Sequence, residues 1–281
     1  MKLPGVLVLL CLSFNGLANN IVVSAVSHTI RNTSNQTVRV NFTLSWDNSW
    51  RTTSAPFNWD AAWVFVKYKV GSNGEWKHAT LATSGHTIPG IAASTQPDAT
   101  GIFIYRSASG GPSTFNPTGI QLQWNYGSDG VSNEAQIFVR VFAIEMVYNP
   151  PGGFQAGSGA ISNGEFRRAN DVTASAPAST FTVTGSLPTF QSNNSSSSAD
   201  NIAAYNNTAS DLTGTATASL NAGYPTGFNA FYSMKYEISQ QQYVDFLNTL
   251  TYTQQAARTA TAPNNAAGTG ALINPNANRN G

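Results

Sequence analysis

Between Ile21 and Ala143, apolar and polar side chains trade places in short runs. Val38, Val40, Phe42, Leu44 and Trp46 alternate with Arg39, Asn41, Thr43 and Ser45. That period of two puts one face of a strand into a core and the other into solvent. Trp63-Val64-Phe65-Val66 is apolar on both faces up to Lys67, which predicts a central strand. Gly71-Ser72-Asn73-Gly74 supplies turn chemistry ahead of Glu75-Trp76-Lys77-His78, its hairpin partner. Further strands are predicted over 102–105, 120–124 and 137–143, with turn signals at Gly110-Gly111-Pro112 and Gly127-Ser128-Asp129-Gly130. Roughly six to eight short strands without a helical period predict an antiparallel β-sandwich over 19–143.

The second half reads differently. From Val172 to Met234 only Asp200 and Asp211 are charged, and Ser and Asn make up more than half of 191–210. Such a stretch buries too little apolar surface to offset its ordering entropy, so 185–223 is read as a loop or linker. One weak strand is expected just before it, at Thr180 to Val183. After an apolar strand holding Phe231, Met234 and Tyr236, Ser239 and Gln242 have capping-box spacing. Tyr243, Phe246, Leu247 and Leu250 then follow at i, i+3, i+4 and i+7, the stripe of an amphipathic helix. Lys235 and Glu237 alternate outward on that strand and are expected to form an exposed pair worth about 0–1 kcal/mol.

Met1 and Lys2 lead an apolar run to Phe14, and Gly16-Leu17-Ala18 offers small residues at −3 and −1. This is the pattern of a cleaved signal peptide over 1–18, so the mature protein is expected to be secreted, periplasmic or on the cell surface. The run is too short to span a bilayer, and no transmembrane segment is expected. Cys11 is the single cysteine and lies inside that leader, so the mature chain is expected to have no disulfide, thiolate metal site or Cys nucleophile. Charged residues reach only 10% and the net charge is +1. A neutral chain without a Lys/Arg cluster lacks the electrostatic footprint for nucleic acid or anionic membranes.

Few residues suggest chemistry. His28, His78 and His86 are widely spaced and are read as exposed or singly hydrogen-bonded side chains rather than metal ligands. Asp47, Asp60, Glu75, Asp98, Asp129 and Glu134 are scattered, and Asp129 sits in what reads as an ordinary turn rather than half a calcium loop. Ser107 to Pro112 reads as a surface turn, because no helix and no Lys follow its glycines. The tryptophans stand out. Trp46 and Trp63 are expected on strands, filling the core. Trp50 and Trp59 are expected in a loop, and with Asn58 and Asp60 they form the candidate ligand set. Indole rings flanked by amides and carboxylates suit a sugar, whose apolar face stacks while its hydroxyls bond.

Two stretches resemble the formylglycine-generating enzyme family, also called the sulfatase-modifying factor family. Glu145-Met146-Val147-Tyr148-Asn149-Pro150-Pro151-Gly152-Gly153-Phe154-Gln155-Ala156-Gly157-Ser158 looks like that family's opening strand, Pro/Gly turn and inward Phe. Phe231 to Asn248, through Tyr236-Glu237-Ile238-Ser239 and Phe246-Leu247, is similar to its strand followed by a capped helix. The resemblance covers roughly 145–170 and 224–255. It implies an incomplete α+β, C-type-lectin-like domain over 144–281, with 185–223 as a low-complexity insertion. The family's oxidising members work with paired cysteines and copper, and also hold calcium. No part of this chain matches those regions, so no cofactor and no catalytic residue are expected here.

The first functional expectation is therefore a secreted or envelope protein carrying the start of a sulfatase-modifying-factor-like domain, which binds or scaffolds rather than catalyses. Its partner would be a carbohydrate or an envelope protein. The alternatives are a carbohydrate-binding or adhesive β-sandwich, and a fragment of a formylglycine-generating-type oxidase.

Overall fold

The computed structural model describes residues 20–156, 166–168, 181–183, 190–191, 202–204, 217–218 and 228–271. The leader at 1–18 and most of 185–223 lie outside them. The protein is mainly β, built on an open antiparallel sheet.

The strands are β1 (Val22–His28), β2 (Val38–Arg51), β3 (Trp59–Val70), β4 (Lys77–His78), β5 (Ile91–Thr95), β6 (Ile102–Arg106), β7 (Gly110–Phe115), β8 (Ile120–Trp124) and β9 (Ile137–Asn149). The short strands β10 (Phe154–Ala156), β11 (Phe166–Arg168), β12 (Phe181–Val183), β13 (Phe190–Gln191), β14 (Ile202–Ala204) and β15 (Thr217–Ala218) follow. Last come β16 (Phe231–Met234) and the helices α1 (Gln240–Leu247) and α2 (Tyr252–Ala256).

Strand β2 organises the first compact unit, which comprises the chain up to Thr53, Trp59–Val147 and Met234 onward. Its first half pairs with β1 and with β8, in the register Val38↔Trp124 to Phe42↔Ile120. Its last residues pair with β7 and, through Arg51↔Trp59, with β3. Strand β3 in turn carries β6, β4 and β9, and β5 closes on β6. The predicted alternation of β2 appears directly, since Val38, Val40, Phe42, Leu44 and Trp46 are all buried. They share one core with Ala62, Val64, Val66 and Tyr68 of β3, Ile102 and Ile104 of β6, and Ile120, Leu122 and Trp124 of β8. Trp46 fills that core as expected, whereas Trp63 is half-buried and packs against Phe103 at 4.7 Å.

The second unit comprises Ser54–Asn58 and Tyr148–Ser233. Within its described residues β10 pairs with β12, and β11, β14, β13 and β15 form a small sheet whose β13–β14 step is parallel. Asn149 bonds Ser233 at 3.1 Å, and Tyr148 meets Tyr232 edge-on at 5.2 Å.

Two sequence expectations change. The glycine run at 110–112 is not a turn but the start of β7. Its backbone packs so closely on β2 that a Cβ on Gly111, where φ is +98, would lie 2.1 Å from the Ser49 carbonyl oxygen. Trp50 and Trp59 end β2 and begin β3, so only 52–58 forms the loop. Helix α1 has the predicted capping box, with Ser239 Oγ accepting from Gln242 N–H and Gln242 Oε1 from Ser239 N–H. None of its residues is fully buried.

Candidate functional site

Regular alternation would turn the residue after Trp46 outward and Asn48 inward. Instead the β2–β7 register slips on both sides of Ser49, and Asn48 takes a positive φ of 53. Asn tolerates the left-handed region better than most residues, and a bulge of this kind shifts the phase of a strand. The result leaves Asn48 exposed, buries Ser49 completely and sets Trp50 half-buried. Asp47-Asn48-Ser49, an unbroken polar triplet ending a clean alternation, was the available sequence signal.

Ser49 is buried because its hydroxyl has a partner. It donates to Asp60 Oδ1 at 2.8 Å, and the Trp50 backbone N–H donates to the same oxygen at 3.0 Å. Trp46 Nε1–H donates to Asp60 Oδ2 at 2.7 Å, and Lys235 Nζ lies 3.0 Å from that atom. Lys235 also lies 3.1 Å from Glu145 Oε2. All three ionisable side chains are enclosed, with 8% of Lys235, none of Asp60 and 1% of Glu145 accessible. Arg106 Nε–H extends the network by donating to Ser49 Oγ at 2.9 Å.

Lys235 is thus not the exposed strand residue expected from the sequence. Its nitrogen is directed into the fold by two carboxylates and by the carbonyls of Asp47 and Asn48 at 3.4 and 3.2 Å, while Glu237 stays exposed. Burial opposes the ammonium charge, but Asp60 and Glu145 outweigh it and hold the Lys235 pKa above its ordinary value. Burial pushes the Glu145 carboxyl up despite the pull of Lys235, and the Asp60 charge adds to the rise. Glu145 meets Lys235 at ion-pair distance, yet neither of its oxygens takes part in a well-aligned hydrogen bond.

Trp50 stands over this cluster, its ring centroid 5.2 Å from Lys235 Nζ. Beside it lies a groove of about 680 Å³, lined by Asn48, Trp50, Arg51, Thr52, Ser109, residues 110–112 and Lys235 itself. That volume is in the usual ligand range of about 300–1,000 Å³. Here an indole face is surrounded by an amide, a guanidinium and hydroxyls.

The sequence-predicted set is not assembled as one site. Trp59 stacks on Tyr105 at 5.3 Å, and the Arg51 guanidinium lies 4.9 Å from the Trp59 ring and 5.2 Å from Tyr105. Trp59 therefore belongs to a packed stack on the Arg51 side of the ribbon, and Trp50 to the Asp60–Lys235 side. Asp60 has no accessible surface and serves as the anchor beneath Trp50. Asn58 is half-buried in the loop before β3 and does not line the groove. The groove partners Asn48, Thr52 and Ser109 were not legible, because β7 brings Ser109 alongside β2 from far along the chain.

Elsewhere, Asp129 accepts from Thr80 N–H at 3.0 Å, Thr80 Oγ1–H at 2.6 Å and Trp124 Nε1–H at 2.5 Å, which makes it a turn anchor. His86 is more than singly bonded. Its Nδ1 accepts from Gln123 N–H at 3.0 Å, leaving Nε2–H to donate to the Ala82 carbonyl at 2.8 Å. Among the described residues, no three His, Cys, Asp or Glu converge on a metal-sized site, and no helix is long and apolar enough to cross a membrane.

No protein-family model matches the chain, and neither a curated protein nor a solved structure matches it.

Proposed function

We propose that the chain is a secreted or envelope-exposed binding protein whose first unit is an antiparallel β-sandwich that takes a saccharide in the Trp50 groove. One observation carries this reading: the indole of Trp50 lines an open groove while Asp60 holds its backbone N–H and Lys235, also in the lining, lies 5.2 Å from its ring. A sugar ring stacked on a pre-positioned indole loses little freedom of the protein on binding, and Asn48, Thr52, Ser109 and Arg51 are at hand for its hydroxyls. The sandwich reading is supported by the single core that joins side chains of β2 and β8 to those of β3 and β6.

The test is a glycan array probed with the full chain and with Trp50→Ala. Selective binding by the wild type that is lost in the variant supports the proposal. An array without a specific hit, or one unchanged by Trp50→Ala, refutes it.

A second reading draws on the sulfatase-modifying-factor resemblance, in which the segment around α1 belongs to a C-type-lectin-related domain that scaffolds a protein partner. The capping box at Ser239 behind a strand favours it. Copper and calcium chemistry belongs to complete members of that family, and no step of the saccharide reading depends on it.

A further inference from the structure

A buried ammonium needs one carboxylate for neutrality, and Lys235 has two. Asp60 is bonded at both oxygens: Ser49 Oγ–H and Trp50 N–H hold Oδ1, while Trp46 Nε1–H and Lys235 share Oδ2. Glu145 lies 3.1 Å from the lysine nitrogen and beside the Asn20 backbone, with no well-aligned hydrogen bond to either. An ordinary structural ion pair does not call for this asymmetry. It does match an amine held within 3.1 Å of both a carboxyl and a proton carrier, the two acids being almost wholly buried.

We propose that Lys235 and Asp60 join through an intramolecular amide bond, formed by the protein itself with Glu145 as the proton carrier. The ammonium first passes one proton to Asp60 Oδ2, leaving a neutral amine beside a neutral acid. The Nζ lone pair then attacks Cγ, and the charge that develops on Oδ1 is met by the two donors already aimed at it. Glu145 Oε2, 3.1 Å away, takes a second proton from the nitrogen and delivers it to the departing Oδ2 hydroxyl. The Cγ–Oδ2 bond breaks and one water leaves. An ammonium and a carboxylate become an amide and water, and Glu145 returns to its starting form.

Two physical terms favour a step that is sluggish between separate molecules in water. Fixed neighbours reach effective concentrations of about 10⁵–10⁸ M when oriented for attack. Asp60 and Glu145 are nearly inaccessible, so water has little access to the Asp60 carboxyl carbon for the reverse hydrolysis, although Lys235 borders the groove. The bond would tie the start of β3 to the segment following β16, 175 positions apart. A chain with one cysteine cannot make such a tie by an internal disulfide.

The experiment is tandem mass spectrometry of a tryptic digest of the full purified chain. The expected result is a branched species joining the Asp60 and Lys235 peptides, lighter than their sum by one water, with trypsin no longer cutting after Lys235. Lys235→Arg abolishes the species, and Glu145→Gln, which keeps amine, carboxyl and side-chain shape, removes most of it. Circular dichroism confirms the fold of each variant. Separate, unmodified peptides from folded wild-type protein would overturn the proposal, as would a bond from Lys235 to Glu145 in place of Asp60. Full linkage in Glu145→Gln would overturn the role of Glu145.

Discussion

Replacing Lys235 with Met tests the buried cluster most severely. Met keeps most of the aliphatic stem beside Trp50 and Tyr236, so the substitution chiefly removes charge in protein whose Lys235 and Asp60 are not joined, and removes the amide as well where they are. It leaves Asp60 and Glu145, with 0% and 1% of their side chains accessible, facing each other without a cation. The net worth of a buried ion pair against an apolar replacement is small, but removing one partner alone costs about 3–5 kcal/mol. Two stranded carboxylates place this variant at the upper part of that range. At roughly 2–4 °C per kcal/mol for a unit of this size, the melting temperature should fall by about 8–20 °C. The loss should shrink as pH falls, because protonating either carboxylate relieves the repulsion. In the wild type, burial already raises the Glu145 pKa above its ordinary value of 4.5, so its contribution is fully present below that value and lost as pH rises through the folded pKa. The assay is calorimetry with urea unfolding at several pH values between acid and neutral. A variant within 1 kcal/mol of wild type throughout would refute the reasoning.

Two further outcomes follow from the geometry. Ser239→Ala removes one half of a capping box from a helix with no fully buried residue, so α1 should lose about 1 kcal/mol, read as faster amide exchange at Val244 and Asn248. Burial holds His86 below its ordinary pKa of 6.5; the Ala82 carbonyl pulls the other way, and Arg39 adds to the lowering. A depressed histidine stabilises the fold fully above 6.5, and that contribution is lost as pH falls through its folded pKa. A ¹⁵N NMR titration should show His86 neutral, with the proton on Nε2, at pH 6.5. A protonated ring there would contradict the Gln123–His86–Ala82 arrangement.

The β framework was legible because strand alternation is a local signal. Val38 to Trp46 announces which face is buried without reference to any other strand, and Ser239 with Gln242 announces a helix start over four residues. The cluster was not legible for the opposite reason. Asp60, Glu145 and Lys235 each interrupt an apolar run, which in a chain only 10% charged is a sign of buried charge. Their partners, however, lie far apart in sequence, and periodicity made Lys235 an outward residue beside Glu237. The slip at Asn48 had the same effect on Trp50, since one bulge residue decides which way every later side chain points. Trp50 and Trp59 read as a pair by proximity along the chain, and the strand pleat separates them.

That separation makes the central claim directly measurable. The chain has six tryptophans, and 5-fluorotryptophan labelling gives each a ¹⁹F resonance that Trp50→Phe and Trp59→Phe assign. On titration with the oligosaccharide selected by the array, the Trp50 resonance should shift in a saturable way while that of Trp59, stacked on Tyr105 with Arg51 beside both rings, stays in place. A Trp50 resonance that does not move at saturating sugar, or a response confined to Trp59, would contradict the assignment of the groove as the binding site.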